Sequence, residues 1–429
     1  MKGSIIMKKS YITSVMLTAI MAASMTGCGN NTVSDNAQKS YSTKTSVSAD
    51  SKADIQVSDD DDTAEIAKLS NNTQDTTFTE RDLEQTADTS EAQVITVSDN
   101  KTIDITEEGV YTVSGTAKNC TIRINADEKA KVQLVLDSVD IENENFPAIY
   151  VLSADKVFIT TTDSDNTLTV SGQFTADGDN NTDAVIYSKD DIVLNGTGTL
   201  NITSNYGNGI TSKDDMKITG GIYNIKSSLD AFEANDSISI SDGIFNITTN
   251  KDGFHCENDE SEGDITISGG TFNINGGSDG IQACAMLQID GGNFDITGSE
   301  GLEAAYIVIN DGNITINASD DGINASTSTS AYETAIVFNG GNVNVSVGQG
   351  DTDAIDSNGS IYVNGGTINV TAQMSSFDYD RTAEFNGGTI IVNGQEVSEI
   401  PQNMMGGGMR GGMNGGMGGG FGGGRGGRF

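Results

Sequence analysis

The residues in this chain that could do chemistry are carboxylates, and they come at regular intervals. An acid, then Gly or Ala, then an apolar residue recurs as Asp230-Ala-Phe232, Asp252-Gly-Phe254, Asp279-Gly-Ile281, Glu300-Gly-Leu302, Asp321-Gly-Ile323 and Asp353-Ala-Ile355. Three residues after each opening acid stands a second position: Glu233, His255, Gln282, Glu303, Asn324 or Asp356. If each phrase belongs to one turn of a stacked structure, these positions form two columns rich in oxygen. Carboxylates one strand spacing apart repel by about 3 kcal/mol at an effective dielectric near 20, and like charges opposite one another destabilise a sheet. A hard cation relieves this, because Ca2+ takes about six to eight oxygens from carboxylates, amide carbonyls and water. The candidate calcium ligands are therefore Asp230, Asp252, Asp279, Glu300, Asp321, Asp353, Glu233, Glu303 and Asp356. Asp190-Asp191 and Asp214-Asp215 form a second, shorter ladder. The competing role for any one of these acids is turn geometry, since Asp-Gly is a common turn pair.

Other chemistries find little support. His255 is the one histidine, so neither a His-rich metal site nor a Ser-His-Asp or Cys-His arrangement can be assembled. Cys120, Cys256 and Cys284 have no CxxC spacing and are expected to be buried free thiols. Lys189, Lys213, Lys226, Lys251 and Arg381 could serve as a base in cation-assisted β-elimination, but each stands near acids and reads first as a surface ion pair. The formal net charge of -38 argues against nucleic acid as a partner and in favour of cations. There is no Trp. Stacking platforms for sugar rings are limited to Tyr206, Tyr306, Tyr332, Tyr362 and Tyr379.

The elements that must position the acids are legible from a second phrase. Two apolar-polar-apolar triplets flank Gly-Gly or Asp-Gly, as in Ile265-Thr-Ile267-Ser-Gly269-Gly270-Thr-Phe272-Asn-Ile274. The second glycines fall at Gly221, Gly243, Gly270, Gly292, Gly312, Gly341, Gly366 and Gly388, at intervals of 20 to 29 residues. Period-2 alternation inside such a repeat is the signature of a β-solenoid. It places Ile238, Ile240, Phe245 and Ile247 inside one coil, and Ile265, Ile267, Phe272 and Ile274 inside the next. The polar residues between them, Asn246, Asn273, Asp295 and Asn369, point out. The expected fold is all-β, a right-handed parallel β-helix of roughly ten coils. A β-sandwich would give turns every 8–12 residues without one fixed phrase.

The ends differ from the middle. Residues 1–28 read as a lipoprotein signal, with Lys8-Lys9, an apolar stretch from Tyr11 to Ala23, and a lipobox-like Met25-Thr26-Gly27-Cys28. Cys28 is the expected lipidation site, so the membrane is reached through a lipid anchor only. Residues 29–90 read as a disordered polar stalk, 91–180 as an N-terminal β region with the first coils, and 181–400 as the main coils. Residues 401–429 read as a flexible Gly/Met/Arg-rich tail. The chain is expected to be exported, anchored on the outer face of the membrane, and monomeric.

Several stretches resemble the bacterial secreted carbohydrate-binding proteins that fold as a right-handed parallel β-helix. They are Thr106-Glu-Glu-Gly109-Val-Tyr111-Thr-Val-Ser-Gly115, Val132-Gln-Leu-Val-Leu136-Asp137-Ser-Val139, and Pro147-Ala148-Ile149 through Asn166-Thr-Leu168. The repeated Asp-Gly-Ile and Gly-Gly-Thr phrases continue the likeness, which runs from about residue 94 to 395. The resemblance implies binding of cellulose and polygalacturonate, bound calcium, and a shape like that of pectate lyases. The expected function is therefore non-catalytic binding of an extracellular polysaccharide with calcium assistance, with the sugar-contacting residues unassigned. A calcium-dependent polysaccharide lyase and a structural adhesion rod are the alternatives.

Overall fold

A computed structural model describes residues 77–258, 262–350 and 352–401. Cys28, the apolar leader, most of the stalk and the Gly-rich tail lie outside the described residues.

Each coil of the main body contributes three short strands. One coil runs through Ser237–Ile240, the corner Gly243, Ile244–Thr249, and then Phe254–Cys256. Each strand pairs in parallel with its counterpart one coil on: Ile238 opposite Ile265, Phe245 opposite Phe272, Phe254 opposite Ile281. The third strands form a twelve-stranded sheet of their own. The first and second strands stack into two further columns. These merge into one twenty-four-stranded sheet because Lys131–Asn143 is long enough to run through both.

The body is thus a parallel β-solenoid of twelve turns, two more than the roughly ten expected. The difference lies before residue 180, where the strands Lys101–Ile105, Cys120–Asn125 and Ile149–Ser153 are rungs of the twelve-stranded sheet without the Gly-Gly phrase. At the far end, Gln395–Val397 turns back antiparallel on Thr389–Val392.

The glycine phrase makes the corner between first and second strands. Every second glycine from Gly221 to Gly388 has positive φ, for example +111° at Gly270. At Gly270 a Cβ would also lie 3.1 Å from the Gly243 carbonyl oxygen of the coil below. A side chain there is opposed both by backbone conformation and by the close approach of neighbouring coils.

Alternation fixes the core as the sequence implied. Ile238, Ile240, Phe245, Ile265, Ile267 and Phe272 are all fully buried. Because the register is strict, identical positions stack. Tyr223, Phe245, Phe272 and Phe294 form one ring column with centroids 5.4, 4.7 and 4.4 Å apart. Phe232 and Phe254 form a second, 4.7 Å apart, and the two columns meet edge to face. Such pairs add about 0.5–1.5 kcal/mol each beyond the area they bury. Cys120, Cys256 and Cys284 are buried free thiols.

One part of the expected stalk is corrected. Residues 77–90 lie on the body, not free of it. A one-turn helix, Glu80–Leu83, is closed by a capping box between Thr79 and Asp82. Asp82 is fully buried, with Lys156 at 3.8 Å and Lys217 at 3.7 Å. The Arg81 guanidinium sits 4.4 Å from the centre of the Phe158 ring, and the Gln85 side chain donates to the Thr219 carbonyl and accepts from the Gly196 N–H. The composition of this stretch is polar, but its charges meet lysines that stand far away in the sequence.

Candidate functional site

The two acid columns run side by side along the twelve-stranded sheet. Asp279 lies opposite Glu300. Glu233 lies opposite His255, His255 opposite Gln282, Gln282 opposite Glu303, Glu303 opposite Asn324, and Asn324 opposite Asp356. Asp378 extends the second column past Asp356. It stands outside the repeated phrase, so the phrase alone did not disclose it.

The opening acids have a structural task that explains their recurrence. One carboxylate oxygen of Asp230, Asp252 and Asp321 accepts the backbone N–H of the opening acid in the following coil. Asp252 N–H donates to Asp230 at 3.0 Å, Asp279 to Asp252 at 2.9 Å, and Asp353 to Asp321 at 2.7 Å. Asn208 does the same for Asp230 at 2.9 Å. The ladder satisfies buried amide donors at the corner leading into the third strand. It also buries the acids: Asp230 and Asp252 are each 3% exposed and Asp279 is 6% exposed. The turn role and the column of charge are therefore the same feature.

What neutralises the charge changes along the column. At Asp230, Lys251 Nζ lies 3.1 Å and His255 Nδ1 3.6 Å from the second carboxylate oxygen. Burial alone would raise this carboxyl, but the hydrogen bond and charge of His255, with Lys251, hold it at about 2. Burial likewise opposes a charged imidazole, yet Asp230 and Glu257 push His255 up to about 10. Glu233 is held by Lys213 at 3.1 Å, Asn208 at 2.6 Å and Thr211 at 2.8 Å. Asp230 and Glu233 are thus already matched by protein cations and amide donors.

Further along the cations fall away: His255 and Lys251 still lower Asp252 in part, and neither acts on Asp279 or Glu300. Burial, then the Asp230 charge, raises Asp252 to about 6. Burial, then Asp252 and Glu303, raises Asp279 to about 8. Burial, then Glu303 and Asp279, raises Glu300 to about 9. Burial, then Asp321 and Asp353, raises Asp356 to about 7. Near neutral pH Asp279 and Glu300 favour a proton or a metal ion, and Asp356 stands at its midpoint. The available donors are carboxylates, the Gln282 amide, which donates to Glu303 at 2.6 Å, and the Asn324 amide, which donates to Glu300 at 3.1 Å. All-oxygen donors of this kind suit a hard cation such as Ca2+.

The shorter ladder gathers as well. Asp191, Asp214 and Asp215 each offer an oxygen within 4.8 Å of the others, as do Asp230, Asp252 and His255. Burial and then the charges of Asp191 and Asp215 raise Asp214 to about 6.

The remaining candidate residues divide. Tyr306 and Tyr332 come together as a stacked pair, with centroids 5.8 Å apart and planes 15° apart, and the Tyr332 hydroxyl donates to Asp264 at 3.4 Å. Tyr206 is exposed elsewhere on the body. Of the candidate bases, Lys213 pairs with Glu233 and Lys251 with Asp230, as their neighbours suggested. Arg381 pairs with Glu333 at 2.6 Å rather than with Asp378 or Asp380. The loop before Ala335–Phe338 brings Glu333 to it, which sequence proximity could not show.

A family model described as "carbohydrate-binding domain-containing protein" matches residues 99–354 and 300–405. The chain belongs to that family. One curated relative, a carbohydrate-binding domain-containing protein of Acetivibrio thermocellus, is 41% identical over 128 residues. That alignment covers 29% of this chain and 45% of the relative, so the chain spans less than half the length of the curated protein it matches. A solved structure described as the polysaccharide lyase-like protein from C. thermocellum, in a gadolinium derivative, aligns over 70% of this chain and 94% of its own. The sequence identity is 24% and the TM-score 0.31.

Proposed function

We propose that this family member is a non-catalytic, cell-surface polysaccharide-binding protein that engages anionic glycan through calcium held on the acidic columns. The observation that carries the reading is the run of buried carboxyls from Asp252 through Asp279 to Glu300. They stand above their ordinary titration range, and no lysine or histidine charge offsets Asp279 and Glu300 as His255 and Lys251 do in part at Asp252. Asp230 and Asp252 already converge with His255 within 4.8 Å, and Asp279, Glu300 and Glu303 on the following coils would draw together around an ion. Ca2+ would supply positive charge at a face that otherwise repels a polyuronate. The column residues fix the ion positions, because their backbones are locked in register at one strand spacing. Cys28 would carry the lipid that holds the body at the cell surface, and the protein acts as a monomer.

The experiment is binding of the full chain to polygalacturonate in calcium and in EDTA. Binding abolished by EDTA and restored by Ca2+ is the expected result. Equal binding in both conditions would rule out the calcium bridge. Release of unsaturated, ultraviolet-absorbing product would instead assign a lyase.

A further inference from the structure

One place along the acidic columns breaks the all-oxygen pattern. His255 stands in the second column between Glu233 and Gln282. Asp230, Asp252 and His255 each bring a ligand atom within 4.8 Å of the others. They come from two successive coils: Phe254–Cys256, which follows Asp252, pairs with Phe232–Ala234, which follows Asp230. Asp279, Glu300 and Glu303, which carry the calcium reading, offer oxygen alone.

Both carboxylates are anchored by one oxygen and keep the other for a ligand. Asp230 Oδ1 accepts the Asp252 N–H at 3.0 Å, and Asp252 Oδ1 accepts the Asp279 N–H at 2.9 Å. Asp230 Oδ2 faces His255 Nδ1 at 3.6 Å and Lys251 Nζ at 3.1 Å. Asp252 Oδ2 accepts no hydrogen bond among the described residues, although the residue is only 3% exposed. A carboxylate oxygen so buried and unmatched carries a desolvation cost that a cation removes.

The imidazole is set from its far side. His255 Nε2 lies 3.5 Å from Glu257 Oε2. A ligating histidine ordinarily donates its other ring N–H to a carboxylate or carbonyl, which fixes its tautomer and raises its basicity. With Nε2–H directed to Glu257, Nδ1 is the ligating atom and faces Asp230. Bonds of about 2.0–2.2 Å to a tetrahedral ion set ligand atoms about 3.3–3.6 Å apart, and the spacing from Nδ1 to Asp230 already meets this. One nitrogen and two carboxylates, with a fourth position left for water, suit zinc and its neighbours. Ca2+ asks for about six to eight oxygens instead.

We propose that Asp230, Asp252 and His255 bind one divalent transition ion of the zinc type, with Glu257 orienting the imidazole. The ion ties two coils together. Without it, a proton on Nδ1 and the Lys251 ammonium supply the positive charge beside Asp230. On binding, the Nδ1 proton leaves to solvent, and Lys251, whose side chain is 45% exposed, turns outward. The inference uses neither the glycan reading nor the calcium reading.

The test is calorimetric titration of the full chain with Zn2+ in excess Ca2+, and visible absorption with Co2+ as a second probe of nitrogen ligation. The expected result is one ion per chain that Ca2+ does not displace. His255→Gln should weaken Zn2+ binding by more than about 100-fold, and Glu257→Gln by about tenfold. Lys251→Gln should tighten it about tenfold, because a competing charge is gone, a direction that damaged folding cannot produce. Glu300→Gln should leave the Zn2+ affinity within about threefold, since it lies outside the cluster. No ion on the wild type, equal binding by His255→Gln, or no tightening in Lys251→Gln would overturn the inference. So would loss of the Zn2+ site in Glu300→Gln, which would move the ion onto the calcium positions. Polygalacturonate binding that Ca2+ restores after EDTA bears on the other reading alone, so the two fail separately.

Discussion

Replacing Glu300 by Gln should stabilise the protein in the absence of calcium and weaken its response to calcium. In an unfolded chain Glu300 titrates near 4.5, whereas burial and the charges of Glu303 and Asp279 raise it to about 9 in the fold. Between those values the folded protein holds a proton that the unfolded chain has lost. The stability linked to this group is therefore fully present below pH 4.5 and is lost as pH rises towards 9. At about 1.4 kcal/mol per pH unit, the interval from 4.5 to 7 corresponds to roughly 3 kcal/mol. Gln does not titrate, and its amide oxygen can still accept the hydrogen bond from Asn324. In EDTA at pH 7 the variant should exceed wild type by about 2–3 kcal/mol, the shortfall reflecting relief shared with Asp279. At pH 5 the two should agree within about 1 kcal/mol. In excess Ca2+ the order should reverse, because the ion takes the place of the proton and the variant has lost a ligand. Urea denaturation at pH 5, 7 and 8, with EDTA and with Ca2+, reads all of this. A wild-type-minus-variant difference that does not change with pH in EDTA would refute the argument.

Three further outcomes follow from the packing. Phe254→Ala removes a ring that stacks on Phe232 and meets Phe245 and Phe272 edge to face, and should cost about 3–5 kcal/mol in denaturation. Gly270→Ala sets a Cβ against the Gly243 carbonyl at a φ of +111° and should lower stability by more than about 1 kcal/mol, measured the same way. Asp82→Ala leaves Lys156 and Lys217 without their shared acid and should cost about 3 kcal/mol. Faster proteolysis after Arg81, with the coils still protected, would show that the loss falls on the N-terminal segment.

The solenoid was legible because two local rules repeat together. Alternation assigns each of Ile265, Ile267, Phe272 and Ile274 to the inside, and glycine at the corner allows the positive φ that closes the coil. Neither rule needs knowledge of distant residues once one coil is known to stack on the next. The first coils were harder to count, since the long strand Lys131–Asn143 passes two faces without the glycine phrase. The outward asparagines were also readable as positions. That they bond from coil to coil required the register.

The positions of the acids belonged to the sequence, and their charge states belonged to the tertiary structure. Asp230 and Asp279 open the same phrase, yet one is held at about 2 and the other raised to about 8. The phrase cannot distinguish them, because the difference lies in neighbours contributed by other coils. Lys251 and His255 reach Asp230 from the following turn, while Asp279 faces Asp252 on one side and Glu303 on the other. Asp82 makes the same point at longer range: its partners Lys156 and Lys217 come from far along the chain and meet only when the coils stack. Periodicity is a property of the backbone and survives in one dimension. Desolvation and charge depend on distances in three, and only the folded stack sets those.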